Sequence, residues 1–253
     1  MHEPLLSYDE HVAATRRELA SMRAALAAGP IDVRVPTCPD WTVHDLGRHA
    51  GEFTGFWTHV LCEGTGMRKT PFPDAPDIDD GPAALAVWFE DLGRYLVATL
   101  EATPPTTVVW TWVDDNKTAT FTARRCANEL AIHRIDAQSA RDAIEPVDAA
   151  LAADGIEEIF HMAAHHPRPE GAARGGETIH LHGTDEGRTD EWLITLGPDG
   201  PTFRREHAKG DLAIRASVSD LEQLLYRRPT LGPVERFGDE TVLDAWYRTF
   251  TFG

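Results

Sequence analysis

The chain has 253 residues, 42% of them hydrophobic and 26% charged, the composition of a folded protein with room for one large or two modest domains. Lysine and arginine number 24 against 41 aspartates and glutamates, and the formal charge of -17 opposes binding to nucleic-acid phosphates or anionic membrane surfaces. No apolar run is long enough to span a bilayer, and the opening MHEPLLSYDEHV lacks the basic and apolar regions of a secretory signal, so a cytoplasmic protein acting on small molecules, with neither nucleic acid nor membrane as partner, is expected.

Ser7 and Glu10 have the spacing of a capping box, which predicts a first helix through HVAATRRELASMRAALAAG to a stop at Gly29. Thr42 and Asp45 repeat the signal, with Trp41 and Leu46 placed as a hydrophobic staple and Cys38-Pro39-Asp40 read as the turn feeding a second helix. Its apolar stripe runs through Leu46, Ala50, Phe53 and Trp57. A loop, TPFPDAPDIDDGP, leads to a third amphipathic helix carrying Leu85, Trp88, Phe89, Leu92, Leu96 and Leu100. After Pro104-Pro105 the run TTVVWTWV is expected to be extended, and a fourth helix covers about 119 to 141. Four long helices imply a bundle.

A fifth helical stretch, about 147 to 165, precedes the linker-like PRPEGAARGG. Composition then shifts to strands, ETIHLHGTD, EWLITLG, PTFRREH and DLAIRASV, with Pro198-Asp199-Gly200 as a hairpin turn. Ser219 and Glu222 predict the start of a last helix within SVSDLEQLLYRR. The expected organisation is an all-α bundle over 1–145 followed by a small α+β domain over 146–253 that contributes to the active-site cleft. There is no internal repeat.

Cys38, Cys62 and Cys126 are far apart, so neither a disulfide framework nor a cysteine-rich zinc knuckle is indicated, and any metal must be held by histidine and carboxylate. His49 lies on the apolar stripe of the second helix and is expected to point inward, as hydrogen-bonded core histidines commonly do. On the fourth helix Glu129 and His133 are spaced i, i+4 and share a face with Cys126, Leu130 and Ala137. An inward carboxylate is costly unless paired, and a divalent cation shared with two imidazoles would satisfy it; two histidines and a carboxylate also leave a position open for water or substrate. The alternative is that Glu129 pairs with Arg125 or an arginine of another helix while His133 makes a polar core contact. Asp136 either orients His133 or pairs with Arg134. Cys126 reads as a small buried hydrophobe. His165-His166 and His180-x-His182 look metal-like, but the first pair faces opposite sides of a helix end. The second lies on one strand face with no carboxylate or cysteine partner at clear spacing, so both pairs read as surface or packing residues. Trp110 and Trp112 either line a pocket or belong to the core.

CPDWTVHDLGRHAGEF resembles the Cys-Pro-Gly-Trp-Thr-Val opening and histidine helix of the mycothiol-dependent maleylpyruvate isomerase family, within the DinB-like superfamily, and ANELAIHRIDAQSA is similar to that family's second metal-binding helix. DLAIRASVSDLEQLLYRR and GDETVLDAW resemble its small C-terminal domain. The resemblance implies a DinB-like four-helix bundle, zinc or another divalent metal on His49, Glu129 and His133, and mycothiol as thiol cosubstrate. It also implies that Arg228, at the end of the C-terminal helix, helps recognise the anionic substrate as a catalytic residue. Two positions depart from the pattern, Arg227 and Asp40, where glycine is usual. The implied chemistry is addition of a thiolate to a small anionic electrophile, ending either in cis-trans isomerisation of maleylpyruvate type or in S-transfer. A non-catalytic ligand-binding module and a metal-dependent hydrolase are the competing readings, and only the thiol chemistry requires added thiol for turnover.

Overall fold

The computed structural model describes residues 4–66, 72–113, 116–165 and 175–249. Most of the linker-like PRPEGAARGG segment, with His166 before it, lies outside the described residues. Helix α1 (Tyr8–Ala27) begins where the Ser7 hydroxyl accepts the Glu10 N–H and the Glu10 carboxylate accepts the Ser7 N–H, the expected capping box. Helix α2 (Val43–Glu63) opens in the same way on Thr42 and Asp45 and ends at Gly64, whose φ of 70° is the left-handed conformation that suits glycine.

Ahead of α2, Arg34–Val35 (β1) and Cys38–Thr42 (β2) pair antiparallel, so Cys38-Pro39-Asp40 is part of a strand rather than a turn. The reason lies at the helix end: the first N–H groups of a helix lack intrahelical partners, and here those of Val43 and His44 donate to the carbonyls of Val33 and Ile31. These bonds tie the short hairpin to the start of α2.

Helix α3 (Gly81–Ala102) follows a single 3-10 turn at Ile78–Asp80, and α4 (Ala119–Ser139) completes the set. Between them TTVVWTWV forms no strand among the described residues, only an isolated bridge from Val108 to Thr118. Its tryptophans, Trp110 and Trp112, are 39% and 38% exposed and lie beside Phe56, Trp57 and Phe121, a half-open aromatic cluster rather than plain core.

Helix α1 packs on α3 and α4, and α2 packs on the same two helices, around Leu26, Val43, Leu46, Leu85, Phe89 and Leu130. α2 and α3 approach closely at Gly51, where a Cβ would fall 2.1 Å from the Trp88 ring. α4 is buried on almost every side although it carries Arg124, Arg125, Asn128, Arg134, Asp136 and Gln138. The Arg134 guanidinium donates from Nε to Glu18 of α1 at 2.8 Å and from Nη1 to Gln138 at 2.9 Å and the Glu145 carbonyl at 2.6 Å.

The chain divides into two compact units, Met1–Glu145 and Pro146–Gly253. The second opens with α5 (Ala149–His165) and then builds a five-stranded sheet from β3 (Glu177–Gly183), β4 (Glu191–Gly197), β5 (Gly200–Arg204), β6 (Leu212–Ala216) and β7 (Glu235–Gly238). The spatial order is β5-β4-β3-β6-β7, with β3 and β6 parallel and the other neighbours antiparallel. Strand alternation buries Ile179, Leu181, Trp192, Ile194, Leu212 and Ile214 on one face, against α5, whose Glu157 accepts the Trp192 indole N–H at 3.0 Å. His180, His182, Glu191 and Arg215 occupy the opposite face.

Helix α6 (Val218–Leu225) lies between β6 and β7, and α7 (Thr241–Thr249) ends the described chain. The cap of α6 is Ser217, which accepts the Asp220 N–H; the expected Ser219 sits inside the helix, where its hydroxyl accepts the Val147 N–H at 2.9 Å. Two serines at this spacing offer rival caps, and the buried Val147 amide takes the second. At the other end Arg227 N–H reaches Leu224 O and Arg228 N–H reaches Gln223 O, the Schellman pattern, with Arg227 at a φ of 59°. Glycine is usual here because that conformation crowds a Cβ; Arg227 offsets the cost by stacking 4.7 Å above the Tyr247 ring and hydrogen bonding to the Tyr247 carbonyl. No helix among the described residues is long and apolar enough to cross a membrane.

Glu18→Ala leaves the Arg134 guanidinium buried without its carboxylate and is expected to destabilise the protein by about 3 to 5 kcal/mol. Urea unfolding measures this, and Glu18→Ala with Arg134→Met should recover most of the loss because the stranded charge is then gone.

Candidate metal centre

Helices α2 and α4 bring His49, Glu129 and His133 together, with one ligating atom of each within 4.8 Å of the others. The two imidazoles converge on the same carboxylate oxygen: His133 Nε2 is 3.2 Å and His49 Nε2 3.8 Å from Glu129 Oε1. Glu129 Oε2 is held instead by the Arg125 guanidinium, one turn earlier on α4. Of the two readings left open for Glu129, pairing with Arg125 and facing two imidazoles, the carboxylate does both, one oxygen to each.

The second nitrogen of His133 is also engaged. Its Nδ1 lies 3.0 Å from Asp136 Oδ2, and Asp136 accepts in turn from the Thr37 hydroxyl at 2.6 Å and the Cys38 thiol at 3.8 Å. Asp136 is wholly buried, and its partner is His133 rather than Arg134, which belongs to Glu18. A carboxylate on Nδ1 fixes the imidazole tautomer and turns the Nε2 lone pair toward Glu129. Thr37 and Cys38 come from the β1–β2 hairpin, and so does Trp41, whose ring lies 4.9 Å from that of His49. The support contributed by Thr37 has no signature of spacing relative to Asp136, so it becomes visible only when the hairpin meets α4, whereas Arg125 stands one turn before Glu129 on the same helix.

His49 is not fully inward, as the stripe suggested. Its side chain is 39% exposed, against 20% for Glu129 and 11% for His133. It stands at the edge of a cleft of about 400 Å³ lined further by Gly51, Phe53, Phe72, Trp88 and Leu92. A position at the edge of the stripe lets the ring pack on Trp41 while the side chain also lines the cleft.

The donor set suits a borderline divalent cation. Bonds of about 2.1 Å in a tetrahedron place neighbouring ligands about 3.4 Å apart, between the 3.2 and 3.8 Å found here. Burial first, and then the neighbouring His133 ring, push the His49 imidazole down to about 4, so it is neutral and able to ligate near neutrality. Cys126 is fully buried, as expected.

Arg228 is also buried and donates from Nη1 to the Tyr226 carbonyl at 2.8 Å, three residues beyond the end of α6. His165 turns its Nδ1 onto the His161 carbonyl at 2.9 Å within its own helix. His180 and His182 do have a carboxylate beside them, contrary to the expectation from spacing: Glu191 from the adjacent strand, together with His207. Strand pairing supplies that neighbour, which linear spacing cannot show.

Residues 12–138 match the family model of the mycothiol maleylpyruvate isomerase N-terminal domain, and residues 150–245 match the model of the corresponding C-terminal domain. Among solved structures, a mycothiol-dependent maleylpyruvate isomerase is similar with a TM-score of 0.56 and 14% identity over 88% of this chain and 91% of that one. A histidine-to-alanine mutant of such an isomerase gives 0.58 and 15% with the same coverage. At these identities the likeness is one of fold, and it is the DinB-like bundle with a small α+β domain expected from the sequence. No curated protein sequence matches the chain.

In metal-free protein the His49 ring is expected to stay neutral until the pH falls to about 4, which an imidazole NMR titration would read directly. Between the unfolded value of about 6.5 and that pH the unfolded chain binds the extra proton. The contribution is therefore fully present above about 6.5 and is lost as the pH falls toward 4; a His49→Gln variant should show a shallower loss of stability over that window.

Proposed function

The chain belongs to the mycothiol-dependent maleylpyruvate isomerase family, and on that premise we propose that it is a metal-dependent enzyme using a low-molecular-weight thiol, mycothiol by family, on a small anionic electrophile. The observation that carries this reading is the convergence of the His49 and His133 Nε2 atoms on one Glu129 oxygen, with His49 also lining a cleft. His49, Glu129 and His133 would hold the divalent metal, zinc by donor type. When bound, such an ion supplies Lewis acidity and makes a thiolate available at neutral pH without a strong protein base.

The protein's own residues have separable tasks. Asp136 keeps the His133 Nδ1 proton in place, so that Nε2 presents a lone pair. Arg125 neutralises one Glu129 oxygen and leaves the other directed at the two imidazoles. Phe53, Phe72 and Trp88 give the cleft apolar walls that limit water near the reacting thiol. Arg228 is assigned the substrate carboxylate, which its planar fork can grip in bidentate fashion. Isomerisation of maleylpyruvate type requires the thiolate to add to a double bond, rotation about the new single bond, and loss of the same thiol; S-transfer stops after the addition. We favour isomerisation, as the family name indicates.

The decisive measurements are metal content and thiol dependence. Asp136→Asn should weaken zinc binding by about 10- to 100-fold while the helical circular dichroism is retained, and a zinc affinity equal to wild type would remove Asp136 from the site. Turnover of maleylpyruvate should require added mycothiol; turnover of an ester or amide without thiol would instead establish the hydrolase reading, and absence of both with tight ligand binding the binding-module reading. Arg228→Lys keeps the charge but loses the fork, so kcat/KM on an anionic electrophile should fall by about 1.5 to 3 kcal/mol in transition-state stabilisation with zinc content unchanged.

A further inference from the structure

The second unit contains another constellation of metal-ligating groups, built on one face of its sheet and the segment that follows β5. His180 and His182 are two apart on β3 and so present their rings on one face, the face opposite the apolar core. Glu191 stands directly across from His182 in the β3–β4 register. His207 arrives from the segment after β5, which Arg205 anchors by gripping Glu157 of α5. The four side chains place one ligating atom each within 4.8 Å of the others.

The contacts within this group are incomplete as a hydrogen-bond network. Glu191 uses one oxygen for His182 Nδ1 at 2.6 Å and the other for His207 Nδ1 at 2.8 Å. His180 is 6% exposed, yet its Nε2 makes no hydrogen bond and lies 3.7 Å from Glu191 Oε2. A buried imidazole nitrogen left without a partner is costly, whereas a cation shared by all four groups satisfies that lone pair and the carboxylate charge together.

We infer that His180, His182, Glu191 and His207 form a second binding site for a divalent transition-metal ion of the zinc class, structural rather than catalytic. Three imidazoles and a carboxylate fill a tetrahedral ion and leave no open position, in contrast to the three-ligand set of the bundle. The ion would pin β3, β4 and the segment following β5 to one another, and the exposed ring of His207 provides its route of entry. The inference does not depend on the function proposed for the bundle.

The test is zinc counting on the full chain after stripping with chelator and re-equilibration, for wild type, for His49→Ala/His133→Ala, and for His182→Ala/His207→Ala. About two ions are expected in wild type and about one in each double variant. Cobalt substitution should leave a tetrahedral absorption band in the bundle variant, and a variant lacking His49, His133, His182 and His207 together should show none. A sheet variant that keeps the wild-type zinc count and cobalt spectrum overturns the inference. A single ion, lost in the sheet variant but kept in the bundle variant, upholds it while removing the bundle site; the reverse pattern overturns it and leaves the bundle site standing. Should the sheet variant fail to fold, His207→Ala alone, at an exposed position, is expected to weaken zinc binding at least about tenfold, and unchanged affinity counts against the site.

Discussion

The first unit depends on the charge borne by a helix that has no solvent face. α4 is enclosed by its neighbours, yet it brings two aspartate or glutamate carboxylates and three arginines into or against the core. Each must be paired where it lies, because an unpaired buried charge costs more than the bundle's apolar packing readily offsets. The pairings therefore dictate what surrounds α4: Glu18 on α1 answers Arg134, Thr37 on the hairpin answers Asp136, and Arg125 answers Glu129.

Structure and site are connected through those pairings. Asp136 is shared between the hairpin and His133, so the element that closes the start of α2 also sets the imidazole that faces Glu129. The close approach of α2 to α3 at Gly51 brings Trp88 against the same cleft that His49 lines. Packing and site geometry at this end of the bundle are therefore held by the same residues, and substitutions that loosen one disturb the other.

The second unit solves a different problem. Its sheet must bury one face and has a free choice for the other, and it uses that other face to collect three histidines and a glutamate. At the end of α6 it tolerates an arginine in a left-handed conformation, with Tyr247 supplying the contacts that offset the strain. Such an exchange of an intrinsic backbone preference for a side-chain contact shows why local rules predict the turn but not the residue that fills it.

Helices α1 and α2, both capping boxes, the i, i+4 pairing of Glu129 with His133 and the division into a helical and an α+β part were determined by the sequence itself, because capping and helical periodicity act between residues a few positions apart. Local signals also misled: Cys38-Pro39-Asp40 is a strand rather than the expected turn because it lies in the segment that pairs with Arg34–Val35, and Ser217 rather than the expected Ser219 caps α6 because Ser219 accepts the N–H of Val147, distant in the chain. Only the tertiary structure decided that Asp136 serves His133 rather than Arg134, that His49 stands at a cleft edge rather than inside, and that His180 and His182 have Glu191 and His207 beside them. Spacing offered both partners of Asp136, and the choice was made by Glu18 of α1, which takes Arg134; the other arrangements come from side chains that strand pairing and helix packing bring together, and such contacts carry no local period from which spacing could recover them.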